Sequence, residues 1–170
     1  GQGADMAVRY DFPTFVEGLT LHAGMAPKNG GDTGVMTDGS GFGASYSVAG
    51  FKVFAGTESF KTVAADTDTT GYGVKYGMSG FTVGYNTSEK DVTGGDKTEM
   101  AGYSAGYATG NFAVAINTSE TEVNSAVTSD KSSIGASYNL GGGVKVYAVT
   151  TKDDKVAASD EDTVGISFSF

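Results

Sequence analysis

Cysteine and tryptophan are absent from these 170 residues, proline occurs twice and histidine once. Without cysteine the chain has no disulfide framework, no thiolate nucleophile and no cysteine-based metal site, although reducing and oxidising compartments both remain open. Bases are also short: 11 Lys and Arg stand against 20 Asp and Glu, a formal charge of −9. Phosphate binding draws on Lys and Arg, so nucleic acid is set aside as a partner. No apolar stretch approaches the roughly 20 residues that a membrane-spanning helix needs. No signal peptide precedes Gly1, so the chain is expected to be mature or truncated. Neither absence touches a barrel that crosses a membrane with strands.

What is present favours strands. Glycine supplies 27 positions, tyrosine nine and phenylalanine ten, while leucine is scarce. A chain of this length holds one domain. Apolar and polar residues alternate in eleven segments: 5–11, 19–25, 41–48, 51–59, 69–78, 81–88, 98–108, 112–118, 131–140, 144–152 and 163–170. The predicted class is all-β.

The connections are more informative than the strands, because short and long ones alternate along the whole chain. The short ones are Ala49-Gly50, Ser79-Gly80, Thr109 to Asn111 and Gly141 to Gly143, with a slightly longer first one at 13–18. Glycine supplies the positive φ that tight hairpin turns require. The long ones, 26–40, 60–68, 89–97, 119–130 and 153–162, hold most of the acids together with Gly, Ser, Thr and Asn. Short turns at one rim and long loops at the other describe an antiparallel up-and-down transmembrane β-barrel, turns toward the periplasm and loops outside. Odd-numbered segments then descend toward the periplasm, and Phe170 lies at the inner rim.

The two faces of each segment support this. Tyr72, Val74, Tyr76 and Met78 share one face, as do Phe81, Val83 and Tyr85, then Ile134, Ala136, Tyr138 and Leu140, then Val164, Ile166, Phe168 and Phe170. Their alternates, such as Gly73, Lys75, Gly77, Thr82, Gly84, Asn86, Ser133, Gly135 and Ser137, are small or polar and suit a wet lumen. Aromatics gather beside the short turns: Phe12, Phe15, Phe51, Phe81, Phe112, Tyr138, Phe168 and Phe170. That matches an interfacial girdle, although rings beside turns also serve simply to pack hairpin ends.

Residues 133–143, SIGASYNLGGG, are followed by a strand, an acidic loop and the terminal DTVGISFSF. This resembles the alphaproteobacterial general (trimeric) porins, whose penultimate turn often reads GASY-(D/N)-LGGG and whose last strand ends in Phe. Residues 8–18, VRYDFPTFVEG, resemble the RYDSP-x-F-x-GF segment that follows the constriction loop of those porins, with Phe12 in place of Ser. The specific match is confined to the last forty residues or so; the middle agrees in pattern. The resemblance implies a sixteen-stranded barrel of which residues 1–170 would be the C-terminal portion, the first five strands and the constriction loop lying upstream. An eleven-stranded sheet alone would leave two unpaired edges in lipid, where each unsatisfied backbone group costs several kcal/mol.

The implied function is passive diffusion of small hydrophilic solutes and ions through a water-filled pore of the bacterial outer membrane. Charged side chains on the inner wall set the field that such solutes cross, so no enzymatic activity is expected. By parity the pore-lining candidates are Arg9, Asp11, His22, Lys52, Lys75 and Lys145, bases that would face an acidic loop from the upstream part. Lys52 and Lys145, each just past a turn, equally suit snorkelling to periplasmic headgroups. His22 has no Cys or second His with which to share a metal, and lining the wall is its plain role. The resemblance makes Ile166, Phe168 and Phe170 the signal read by the barrel-assembly machinery. The partners it implies are the lipid bilayer, lipopolysaccharide, that machinery and further copies in a homotrimer.

No cofactor is expected. The acids at Asp66 and Asp68, Asp91 to Asp96, Asp153-Asp154 and Asp160 to Asp162 offer oxygen ligands for at most a weakly held Ca²⁺, and none has the ordered spacing of a calcium loop. Solvated, self-repelling loops are the simpler reading. The glycine runs lead into no helix that would present its N-terminus to a phosphate, and no Ser/His/acid set is recognisable. Two other readings stand beside the pore: a smaller complete barrel of ten or twelve strands acting in surface binding or adhesion, and a soluble sheet packed by a partner.

Overall fold

The computed structural model describes residues 8–26, 38–62, 65–156 and 159–169. Eleven antiparallel strands form one sheet whose spatial order is the chain order. They are β1 (Val8–Asp11), β2 (Leu19–Ala26), β3 (Asp38–Val48), β4 (Phe51–Lys61), β5 (Asp66–Met78) and β6 (Phe81–Val92). The remainder are β7 (Lys97–Thr109), β8 (Phe112–Val123), β9 (Ala126–Gly141), β10 (Val144–Asp153) and β11 (Glu161–Phe168). All eleven expected strands are present; residues 5–7 and Phe170, expected at the two ends, lie outside the described residues.

Cross-strand register fixes the sidedness. Tyr76 pairs with Val83 and Val74 with Tyr85, while Lys75 pairs with Gly84 and Gly73 with Asn86. A one-residue slip would exchange the faces of every strand, so this register holds the whole apolar set on one side. Among the described residues Ala26 is the sole buried apolar side chain. Val164 is 86 % exposed, Phe168 and Tyr103 63 %, Phe81 61 %. A soluble sandwich of this size would bury such side chains; here the apolar band has no protein against it, and lipid is the medium that suits it.

At the short-turn rim the aromatics form cross-strand pairs. Phe51, Phe81 and Phe112, each opening a strand, stand opposite Tyr76, Tyr107 and Tyr138. Ring centroids are 4.2 Å apart in the first pair and 4.3 Å in the second. Ala49-Gly50 and Ser79-Gly80 turn with positive φ at both residues (47° and 83°; 51° and 85°), the type I′ geometry that matches strand twist. A Cβ on Gly80 would run into the Ala108 carbonyl oxygen, so this turn needs glycine for space as well as for φ.

The opposite rim departs from the expected strict alternation of short and long connections. The segment 119–130, expected as a loop, is mostly ladder, and Asn124-Ser125 alone turns the chain, with φ of 51° and 66°. The segment 89–97 likewise shrinks to residues 93–96. Amphipathic alternation ends where the apolar band ends, but backbone pairing continues into water on polar residues. Lys97 bridges Glu89 and Glu99 at 3.1 and 2.9 Å, Asn124 donates to Asp96 at 2.6 Å, and the Lys97 N–H donates to Asn124 at 3.0 Å. These contacts relieve the repulsion of Glu89 directly opposite Glu99.

Candidate functional site

The polar face carries a concavity across its first five strands. Three rows of residues cross its first five strands. One runs Asp11, His22, Gly43, Gly56; a second runs Thr20, Ser45, Phe54, Gly73; a third runs Ser47, Lys52, Lys75. Together with Arg9, all of these but Ser47 and Gly73 line a concavity of about 700 Å³. Arg9, Asp11, His22, Lys52 and Lys75, scattered over some 67 residues of sequence, thus lie along one stretch of wall. Lys145 does not: it stands on β10 between Asn139 and Ser167, toward the other end of the sheet.

The charges are not equivalent. The Arg9 guanidinium grips Asp11 at 2.7 Å, and the two neutralise each other across an exposed pair. Lys52 and Lys75 are direct cross-strand neighbours. Among the described residues the ion pairs are Arg9–Asp11, Lys97–Glu89 and Lys97–Glu99, so neither wall lysine has a carboxylate partner there.

One feature of this wall escapes the alternation rule. Three rings on the polar face each cover a cross-strand glycine: His22 over Gly43, Phe54 over Gly73, and Tyr147 over Gly165. A Cβ on any of these glycines would collide with the ring, so the missing side chain is what lets the ring lie down. Aromatic cover of a strand glycine restores packing that the glycine forgoes. The sequence signal was available in Phe51-Lys52-Val53-Phe54, where Phe54 shares the parity of Lys52 rather than that of Phe51 and Val53.

On the opposite face Ile166 and Phe168 are 59 % and 63 % exposed, on the same side as Val164; Phe170, expected to complete that row, lies outside the described residues. No group of three or more His, Asp or Glu side chains with metal-holding geometry occurs among the described residues.

Beyond the apolar band, Asp153 closes the β9–β10 rim. It is 3 % exposed and accepts from the Ser129 hydroxyl at 2.7 Å and from the backbone N–H groups of Asp130, Lys155 and Val156 at 3.0–3.2 Å. The Ser129 hydroxyl first, then these amides, hold its carboxyl at about 2, against an ordinary 3.8, with burial opposing them. A depressed pKa stabilises the folded rim above the ordinary value and loses that contribution as pH falls through the folded one. Protection of the Lys155 and Val156 amides against hydrogen exchange, relative to an unfolded chain at the same pH, is therefore expected to be high at pH 5 and to fall between about pH 4 and 2. Equal protection at both ends of that range would contradict the assignment.

Residues 1–158 match the family described as Gram-negative porin. Among solved structures, a porin refined at 1.8 Å resolution superposes with a TM-score of 0.80 at 15 % identity, over 95 % of this chain and 60 % of that one. Salmonella typhi OmpF, solved in complex with daunomycin, gives 0.81 at 17 % identity, over 95 % and 61 %. A multiply substituted Rh. blastica porin gives 0.75 at 22 % identity, over 96 % and 55 %. No curated protein matches. The chain spans roughly three-fifths of the length of the solved structures it resembles.

Proposed function

This chain belongs to the Gram-negative porin family, and from that premise we propose that it builds part of the wall of a water-filled outer-membrane pore for small hydrophilic solutes and ions. The observation that supports this most is the sidedness of the sheet: a polar face that carries a concavity, an uncovered apolar band on the other face and, among the described residues, a single buried apolar side chain. Family and fold point to a channel rather than an enzyme.

Several finer assignments belong to the same proposal. Arg9, Asp11, His22, Lys52, Lys75 and Lys145 line the pore, on the support of their shared parity. Ile166, Phe168 and Phe170 form the assembly signal, and the bilayer, lipopolysaccharide and two further copies in a homotrimer are the partners. No cofactor is required; calcium at the acidic rim would be incidental. Among the described residues β1 and β11 do not pair with each other. Strand edges left open in lipid are costly, so the wall is closed by strands that pair with both.

The test is electrical. Purified from its native outer membrane and reconstituted in a planar bilayer, the protein is expected to give ohmic conductance that scales with salt. A protein that inserts, is folded by its heat-dependent electrophoretic shift, and conducts nothing would refute a diffusion pore and favour surface binding.

A further inference from the structure

The geometry points to His22, Phe54 and Tyr147 as one repeated contact level on the pore wall, which holds passing solutes that carry a flat aromatic ring; this rests on the reading of the polar face as a pore lining. The three rings occupy a single position of an internal repeat. From Leu19 onward the chain is five copies of one hairpin unit, opening at Leu19, Phe51, Phe81, Phe112 and Val144, each just past a short turn. The copies agree in register as well as in pattern. The residue before each opening one accepts from a backbone N–H near the end of the next strand: Gly18 from Ser47, Gly50 from Gly77, Gly80 from Ala108, Asn111 from Asn139 and Gly143 from Ser169. All five bonds measure 2.8–2.9 Å, so equivalent residues lie at equal heights above the short-turn rim.

The fourth residue of each unit is on the polar face, and its cross-strand partner lies four places before that N–H. His22 stands opposite Gly43, Phe54 opposite Gly73, Gly84 opposite Ser104, Ala115 opposite Gly135 and Tyr147 opposite Gly165. The first, second and fifth units seat a ring over a glycine there; the third and fourth do not. These rings run against the sorting of the chain, in which the other eight tyrosines lie on the apolar side. A ring on a wet wall keeps more apolar surface in water than a glycine can cover, and an aromatic solute covers it by offset or edge-on pairing. A ringless solute of the same charge and size gains nothing comparable. His22 and Phe54, in adjacent units, line the same concavity, so two such contacts lie side by side.

The experiment uses the full-length protein purified from its outer membrane. Tryptophan is the probe and leucylglycine, a ringless zwitterion of similar size, its reference; the residence of each is read from the excess current noise of open channels in a planar bilayer. Phe54→Leu/Tyr147→Leu removes two rings and keeps apolar side chains. Ala115→Phe/Val149→Ala fills the vacant seat over Gly135, after clearing the Val149 methyl that stands 3.0 Å from a Cβ placed on that glycine. The tryptophan-to-leucylglycine residence ratio is expected to fall roughly twofold to tenfold in the leucine variant and to rise by a similar factor in the phenylalanine variant, the scale of one aromatic pair. The heat-dependent electrophoretic shift reports whether each is folded, and the leucine variant alone carries the test if the phenylalanine variant is not. A ratio unchanged in the folded, conducting leucine variant, including one in which both residences change together, would overturn the contact level and leave the pore standing. Saturation transfer from the detergent-solubilised protein to the tryptophan ring protons reads the same contact without conduction. In a protein that does not conduct, transfer lost in the leucine variant would keep the contact and remove the pore; transfer unchanged there would remove both.

Discussion

Arginine in place of Val83 is expected to destabilise the folded protein by ~1–3 kcal/mol, between the values for the interface and the midplane, whereas arginine in place of Asn86, three residues along the same strand, is expected to be close to neutral. Val83 stands at the centre of the β6 apolar row, between Phe81 and Tyr85, and is 51 % exposed with Tyr76 and Ala105 as its cross-strand partners. An arginine there lies two residues inside the Phe81 rim, in hydrocarbon but short of the midplane, and keeps part of its desolvation cost unless it snorkels out. Asn86 faces the concave side, between Gly73 and Gly102, where a guanidinium meets water. Equilibrium unfolding of the two variants in lipid bilayers would measure the difference. Equal stabilities would mean that the apolar band does not meet lipid, and the soluble-sheet reading would return.

The sidedness behind that expectation was legible in the chain because its period is two and its register leaves no freedom. Once Tyr72, Val74 and Tyr76 are assigned to one face, the pairing of Val74 with Tyr85 and Tyr76 with Val83 follows from the tight Ser79-Gly80 turn. The outer rim was less legible. Residues such as Glu89, Glu99, Glu120 and Glu122 show no amphipathic contrast because both sides of the ladder meet water there, yet the backbone stays paired. Composition marks where lipid ends, not where strands end. The wall site was half legible: parity names Arg9, His22, Lys52 and Lys75 one at a time, but only cross-strand register shows Lys52 beside Lys75 and Arg9 occupied by Asp11. Parity also grouped Lys145 with them, although register puts it on a distant part of the face.

The rings lying over glycines were least legible, and they lead to the second large effect. Leucine at Gly73 is expected to cost ~1–3 kcal/mol, the range of overpacking a filled site, and also to narrow the pore. Its Cβ would meet the Phe54 ring and lie 2.7 Å from the Tyr85 carbonyl oxygen. The two clashes have different remedies. The Phe54 ring is the free end of a side chain and escapes by swinging off the polar face, which in the proposed pore takes it into the lumen, across the path of flow. The Tyr85 carbonyl belongs to the ladder and cannot move without disturbing the β5–β6 pairing. Conductance and stability should therefore separate in the Gly73→Leu/Phe54→Ala double variant. Deleting the ring is expected to restore most of the conductance lost in Gly73→Leu, because the displaced group is gone. It is expected to leave much of the stability loss in place, because the carbonyl contact persists. If the double variant conducts no better than Gly73→Leu alone, the ring was not the obstruction, and the glycine at position 73 serves the backbone approach between β5 and β6 rather than the width of the lumen.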